Sequence, residues 1–296
     1  YEKMKAKGSV LCDFDLDGDL DLYFGYVNSY YFENSGSAFK DRTMEYNIDN
    51  SGCRGIVVGD IDNNGYPDIL KWRFMSEAQP DHDCAEYDYE TVCTDDTNCY
   101  WEENNCWNGS DAEMMPHNIL MNDGNSTFIT HNFLPENELN FLHSLGLLDA
   151  DLDGDLDLVA IQEEDDDQFM LYLNEGFDDT GDPIFEQVYT FYRSYGDISA
   201  SRIIAISDYD NDGDQDVYVG RKYGYNWFFE NQTLTGPPGD VTYHSNPEPF
   251  FIEKAIQLGI ADFEVNEIGS MGYGAAWGDY DNDQDFDLYL TNWGVN

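Results

Sequence analysis

The sequence predicts an all-β chain of repeated four-stranded units, and three observations predict it. Apolar runs are three to five residues long, β-branched or aromatic, and bounded by turn residues, the pattern of strands rather than helices. These runs are grouped around five copies of one Asp-rich, nine-residue loop. The loops start 47, 89, 59 and 71 residues apart, so a constant core carries connections of variable length. Only the stretch from Glu253 to Gly259 hints at a helical turn. Four short strands per unit, repeating at about 50 residues, is the signature of β-propeller blades. A sandwich is the rival layout, but a sandwich does not repeat one loop five times.

The elements follow in order. Ahead of the loops lie Val10-Leu11, Gly55-Ile-Val-Val58, Leu145-Gly-Leu-Leu148, Ile203-Ile-Ala-Ile206 and Gly274-Ala-Ala-Trp277. Behind them lie Leu22-Tyr-Phe24, Ile69-Leu70, Leu158-Val-Ala-Ile161, Val217-Tyr-Val219 and Leu288-Tyr-Leu290. A third run follows in the first four units: Tyr30-Tyr-Phe32, Ile119-Leu-Met121, Met170-Leu-Tyr-Leu173 and Trp227-Phe-Phe229. Each third run leads to an Asn (Asn34, Asn122, Asn174, Asn231). In the first three a Gly two residues later (Gly36, Gly124, Gly176) marks a tight turn. An aromatic opens the fourth run at Phe39, Phe128, Phe185 and Phe250. The fifth unit carries only its first two strands, giving about four and a half blades over residues 1–296. A half blade leaves a raw sheet edge. The chain is therefore expected to be part of a longer protein, or to have its gap filled by a partner. Its start, Tyr1-Glu2-Lys3-Met4, has no signal peptide and reads as the interior of a longer or processed chain.

The loops carry the chemistry. Ca²⁺ takes six to eight oxygens at ~2.3–2.6 Å. Alternate acids at positions one, three and five converge on one centre, Gly at position six permits a sharp turn, position seven offers its carbonyl, and an acid at position nine closes the site. The first loop supplies Asp13, Asp15, Asp17 and Asp21 with the carbonyl of Asp19. The third supplies Asp149, Asp151, Asp153, Asp157 and the carbonyl of Asp155; the fourth Asp208, Asp210, Asp212, Asp216 and the carbonyl of Asp214. The second has Asp60, Asp62, Asp68 and the Tyr66 carbonyl, with neutral Asn64 at position five, which predicts weaker binding. The fifth has Asp279, Asp281, Asp283, Asp287 and the Asp285 carbonyl, but Gln284 replaces the turn Gly at a cost on the order of 1 kcal/mol. Four carboxylates within nine residues repel one another without a cation. About five structural Ca²⁺ ions are expected, and Mg²⁺ fits less well because it keeps its waters.

The loops and their flanking strands resemble the FG-GAP or VCBS repeats of integrin-α-like β-propellers. Gly274-Ala-Ala-Trp-Gly-Asp-Tyr-Asp-Asn-Asp283 and Asp287-Leu-Tyr-Leu-Thr-Asn-Trp293 look very like such repeats. The resemblance covers nearly the whole chain outside an insert near 76–116. It implies four-stranded antiparallel blades whose loop between the first and second strands holds Ca²⁺ on one face.

Composition bounds the partners. The chain has 61 acidic against 13 basic residues, a formal charge of −48, so nucleic acid and anionic membranes are repelled. Aromatic residues make up 16%, enough for a packed core and unlike a disordered acidic tail. Five Ca²⁺ would cancel ten charges and leave −38, so metal explains only part of the acidity. No apolar stretch approaches the ~20 residues that span a bilayer.

Cys84, Cys93, Cys99 and Cys106 crowd into 23 residues of the insert at spacings of nine, six and seven, which match no paired zinc motif. Two disulfides are expected there, with connectivity open. Cys12 and Cys53 either pair across blades or remain thiols. Sequons at Asn108, Asn125 and Asn231 add to a secretory reading. With Cys99-Tyr-Trp101 and Cys106-Trp107, the insert is either a docking or carbohydrate-contacting knot or a decorated loop. The acid run Glu163 to Asp167 is either a solvated turn or a further cation site.

The five histidines are scattered and no Ser has a nucleophile-elbow context, so no enzyme is expected. The leading expectation is an extracellular or cell-surface adhesive module that meets a protein or glycan partner, or copies of itself. The alternatives are a subunit of an extracellular filament and a scaffold domain of a secreted polysaccharide-acting enzyme.

Overall fold

The computed structural model describes residues 8–25, 28–49, 52–53, 55–72, 99–102, 105–108, 117–125, 127–133, 142–163, 167–193, 201–221, 224–261 and 272–292. In chain order the first strands are β1 (Gly8–Cys12), β2 (Asp21–Gly25), β3 (Ser29–Asn34), β4 (Phe39–Asp41), β5 (Gly55–Gly59) and β6 (Asp68–Trp72). An insert hairpin follows, β7 (Cys99–Glu102) and β8 (Asn105–Asn108), then β9 (Asn118–Asn122) and β10 (Phe128–Asn132). Next come β11 (Leu142–Leu148), β12 (Asp157–Glu163), β13 (Asp167–Phe177), β14 (Pro183–Arg193), β15 (Ser201–Ser207), β16 (Asp216–Arg221) and β17 (Trp227–Asn231). The rest are β18 (Leu234–Thr235), β19 (Thr242–Tyr243), β20 (Phe251–Glu253), the single turn α1 (Ala255–Leu258), β21 (Gly272–Gly278) and β22 (Asp287–Asn292).

Four antiparallel four-stranded sheets result, with orders β1-β2-β3-β4, β10-β9-β6-β5, β11-β12-β13-β14 and β15-β16-β17-β20. These are the blades of an all-β propeller, and every Asp-rich loop joins a first strand to a second. The register repeats: Leu22 faces Phe32, Leu158 faces Tyr172 and Val217 faces Phe229. β21 and β22 form a two-stranded sheet. The chain divides into two compact units, residues 1–56 with 69–141, and residues 57–68 with 142–296.

Inner strands are covered on both faces, which is why they read as unbroken apolar runs rather than alternating ones. All six residues of β16 are buried. Period-two geometry sorts them. Val217, Val219, Trp227 and Phe229 pack back onto Val159, Ile161, Phe169 and Leu171 of the third blade. Tyr218 and Phe228 point the other way, against Ala275, Trp277, Leu288 and Leu290 of the half blade. Phe169 and Phe229 stack at 4.0 Å between ring centroids. In the first unit, Phe14, Tyr31 and Phe128 form an aromatic triangle with centroids 5.7, 6.1 and 6.0 Å apart.

Among the described residues one ion pair is wholly internal. Nε and Nη2 of Arg221 donate to Oδ2 of Asp167 at 2.8 and 2.6 Å, and both side chains are 0% exposed. Ser201 Oγ donates to the same oxygen at 2.9 Å, and the guanidinium lies 4.4 Å from the Trp227 ring centroid. Asp167, the last residue of the acid run, is thus a buried anchor between blades rather than part of a solvated turn.

Several expectations fall elsewhere. Cys84 and Cys93 lie outside the described residues, as do the side chains of Cys99, Cys106 and Asn108. Neither Cys12 nor Cys53 is in a disulfide, and Cys53 is buried. Asn125 is exposed in a turn, where it donates to the Asp123 carbonyl. The sequon at Asn231 needs correction. Asn231 and Thr233 are both 0% exposed, and the Asn231 amide nitrogen is spent on a hydrogen bond, so this position is structural and has no room for a glycan.

Candidate metal centres

Each loop is wound by its own carboxylates. The position-one Asp accepts the N–H of position six: Gly18 to Asp13 at 3.0 Å, Gly65 to Asp60 at 2.8 Å, Gly154 to Asp149 at 3.1 Å, Gly213 to Asp208 at 3.1 Å and Gln284 to Asp279 at 3.1 Å. Position five accepts from position seven, as Asp19 to Asp17 at 2.9 Å, Tyr66 to Asn64 at 2.8 Å, Asp155 to Asp153 at 2.9 Å, Asp214 to Asp212 at 3.2 Å and Asp285 to Asp283 at 3.2 Å. The turn needs two left-handed residues rather than one. Gly18 has φ 95°, but position four is also positive at Leu16 (58°), Asn63 (55°), Leu152 (62°), Asn211 (58°) and Asn282 (62°). Sequence reading found the glycine and missed position four, where Asn is a cue and Leu is not. Gln284 takes φ 78°. A Cβ at Gly18, Gly65 or Gly154 would meet nothing within 4 Å, so position six selects Gly for its dihedral and not for space.

The acids converge in threes rather than fours: the trios leave out position five (Asp153, Asp212, Asp283) in the third to fifth loops and position nine (Asp21) in the first. Oxygens of Asp60, Asp62 and Asp68 lie within 4.8 Å of one another, as do those of Asp149, Asp151 and Asp157, of Asp208, Asp210 and Asp216, and of Asp279, Asp281 and Asp287. In the first loop the trio is Asp13, Asp15 and Asp17. Three carboxylates this close could hold a hard metal ion. In the third loop Oδ1 of Asp149 is buried with no hydrogen-bond partner, an acceptor left for a cation. Burial, followed by the neighbouring carboxylates, raises the pKa of Asp15, Asp151 and Asp210, the last to about 6. Asp157 is pushed up to about 7 and Asp216 to about 9, chiefly by burial, against the lowering effect of the backbone N–H groups they accept. A divalent ion at the centre would reverse this balance.

Position nine does more than close a site. Asp21, Asp68, Asp157 and Asp216 are buried. One oxygen of each accepts the N–H of position two: Phe14 at 3.2 Å, Ile61 at 2.8 Å, Ala150 at 2.7 Å and Tyr209 at 3.0 Å. The other oxygen accepts the N–H of the Asn ending the third strand: Asn34 at 2.8 Å, Asn174 at 2.9 Å and Asn231 at 2.9 Å. From the second blade on, the Asn ending the third strand also reaches across blades. Nδ2 of Asn122 donates to the position-two carbonyl of Phe14 at 2.8 Å, Asn174 to Ile61 at 3.3 Å and Asn231 to Ala150 at 2.9 Å. The metal loop of one blade is thereby latched to the third strand of the next. Adjacent loops also touch directly, through Asn63 to Asp155 at 2.5 Å and the Asp149 N–H to Gln215 at 3.4 Å.

This geometry meets its family at the repeat. The model of the FG-GAP-like repeat matches residues 13–70 and 149–219, which hold the first four loops and the strands that lie between the first and second and between the third and fourth. The chain carries FG-GAP repeats. The fifth loop, outside the matched stretches, keeps the same hydrogen bonds with Gln284 in the glycine's place, so it belongs to the FG-GAP pattern by geometry. No curated protein matches the chain.

Proposed function

We propose that this FG-GAP propeller is a calcium-clipped, non-enzymatic interaction module that works outside the cell. The observation that carries the reading is the placement of five carboxylate trios at the joints between first and second strands, with the closing acids of the first, third and fourth loops bonded both to their own loop and to the end of their blade's third strand. Ca²⁺ suits an all-oxygen trio with further carbonyl donors, and about five ions would bind. The metals hold the scaffold, and its surface meets a protein or glycan partner. An extracellular setting is supported by the clustered cysteines, by the two sequons left at Asn108 and Asn125, and by an acidity suited to a calcium-rich medium.

Calorimetry in the presence and absence of chelator tests this. An ion at 100 times its Kd adds about 2.7 kcal/mol per site. Chelation at low ionic strength should lower Tm by at least about 5 °C, and Ca²⁺, but not equimolar Mg²⁺, should restore it. An unchanged Tm after chelation sinks the reading.

A further inference from the structure

The second loop departs from the others at one group. Position five is Asp17, Asp153, Asp212 and Asp283 in four loops and Asn64 in this one. The oxygen keeps its role: Asn64 Oδ1 accepts the Tyr66 N–H at 2.8 Å, as the Asp oxygens accept the N–H of position seven. The nitrogen does something new. Nδ2 donates to Asp62 Oδ2 at 3.1 Å, a bond that an ionised carboxylate at position five cannot make. A neutral donor therefore ties down one acid of this trio. Asn64 is also followed by Gly65, and both are exposed in the turn. Asparagine is a thermolabile residue, and a glycine after it brings no side chain to hinder ring closure onto its nitrogen. The Gly65 N–H points at Asp60 Oδ2, 2.8 Å away, within the reach of a general base.

From this arrangement we infer that Asn64 is a deamidation site, restrained while its loop holds a cation, and that its product is an aspartate that makes the second loop a full calcium loop. Asp60 takes the proton from the Gly65 nitrogen, which attacks Cγ of Asn64. The Cγ–Nδ2 bond breaks, and Nδ2 leaves as ammonia with that proton. Water then opens the succinimide ring at Cγ, cleaving the new Cγ–N bond, returning a proton to the Gly65 nitrogen and leaving an aspartate on the original main chain. Opening at the main-chain carbonyl would instead add a backbone atom to a turn set by left-handed Asn63 and Gly65, so the folded loop favours the aspartate. A divalent ion in the trio draws on the Asp60 carboxylate and makes it a poorer base. After conversion an acceptor stands where Nδ2 donated, and it meets Asp62 with like charge, so the loop comes to require a cation as its four-acid counterparts do. The control and the consequence rest on the calcium reading, while the reaction itself does not.

The test is peptide mass spectrometry on the full chain aged with Ca²⁺ or with chelator. Conversion at position 64 should run at least about tenfold faster under chelator, and an aspartate-specific protease should cut the product there. Asp60→Asn keeps an acceptor for the Gly65 N–H but no base, and should slow the chelated reaction about tenfold, with circular dichroism showing that the chain is folded. This arm separates catalysis by the loop from simple loosening, which would leave the rate unchanged. Asn64→Asp, the stable form of the product, should bind Ca²⁺ about tenfold more tightly at one site by calorimetric titration and lose more Tm on chelation than the parent. Equal rates with and without Ca²⁺ would overturn the inference. So would an unchanged rate in folded Asp60→Asn, a product that is mainly isoaspartate, or an Asn64→Asp chain with the parent's calcium affinity. If the parent binds no Ca²⁺ at any loop, the metal reading fails, and the Asp60→Asn comparison, run wholly under chelator, still decides the deamidation.

Discussion

Replacing Asn231 by Ala tests whether the blades are held by the latch rather than by apolar contact alone. Asn231 is 0% exposed, and its N–H and both side-chain amide atoms are hydrogen-bonded. Its N–H donates to Asp216, its Nδ2 to the Ala150 carbonyl at 2.9 Å, and its Oδ1 accepts the Thr233 N–H at 3.0 Å. Truncation spares the first and removes the other two. The Ala150 carbonyl keeps the Thr233 hydroxyl at 2.7 Å, so it is not orphaned, but the Thr233 N–H is. One buried orphan costs about 1–3 kcal/mol, and the lost bond to Ala150 adds about 1 kcal/mol. The sum, about 2–4 kcal/mol, corresponds to roughly 5–10 °C in Tm for a unit of this size. Asn34 is the internal control. It bonds Leu20 of its own loop at 3.1 Å from a partly exposed position and, among the described residues, latches no other blade. Asn34→Ala should cost about 1 kcal/mol or less. Thermal unfolding by circular dichroism in saturating Ca²⁺, on protein made in a host that adds no N-glycans, gives both values. If the two substitutions lower Tm equally, the latch has no energetic role and the reasoning fails.

Other perturbations follow from the same geometry. Leu16 holds φ 58° while 53% exposed, so Leu16→Asn should relieve left-handed strain and raise stability by about 0.5–1 kcal/mol, read by urea unfolding. Gln284→Gly should stabilise the fifth loop by about 1 kcal/mol and tighten its calcium binding, measured by isothermal titration; a loss of affinity would contradict the dihedral argument. Asp167→Ala strands the buried Arg221 guanidinium and should cost about 3–5 kcal/mol, whereas Asp167→Leu paired with Arg221→Met should recover most of it in the same melt.

Much of this was legible in the sequence because the repeat amplifies weak local signals. A single run such as Val217-Tyr-Val219 is ambiguous between strand and buried helix, but the same run behind five Asp-rich loops is not. The register of the acids and the turn at position six followed from spacing alone. What escaped was long-range. Asn231 stood out in sequence as the start of a sequon and the end of a run, yet its role depends on a carbonyl 81 residues earlier. The acid run ending at Asp167 looked solvated because its partner, Arg221, is 54 residues away. Leu16 and Leu152 give no sign of a left-handed backbone, since the loop imposes it against their preference.

The direction of the latch has a consequence for how the molecule is made. In every case the receiving carbonyl precedes the Asn that seeks it, by 108, 113 and 81 residues. A blade leaving the ribosome therefore finds its berth already synthesised, and no blade has to wait for a later one to be held. Assembly can run in step with translation, each new sheet docking on the last while the rest of the chain is still unwritten.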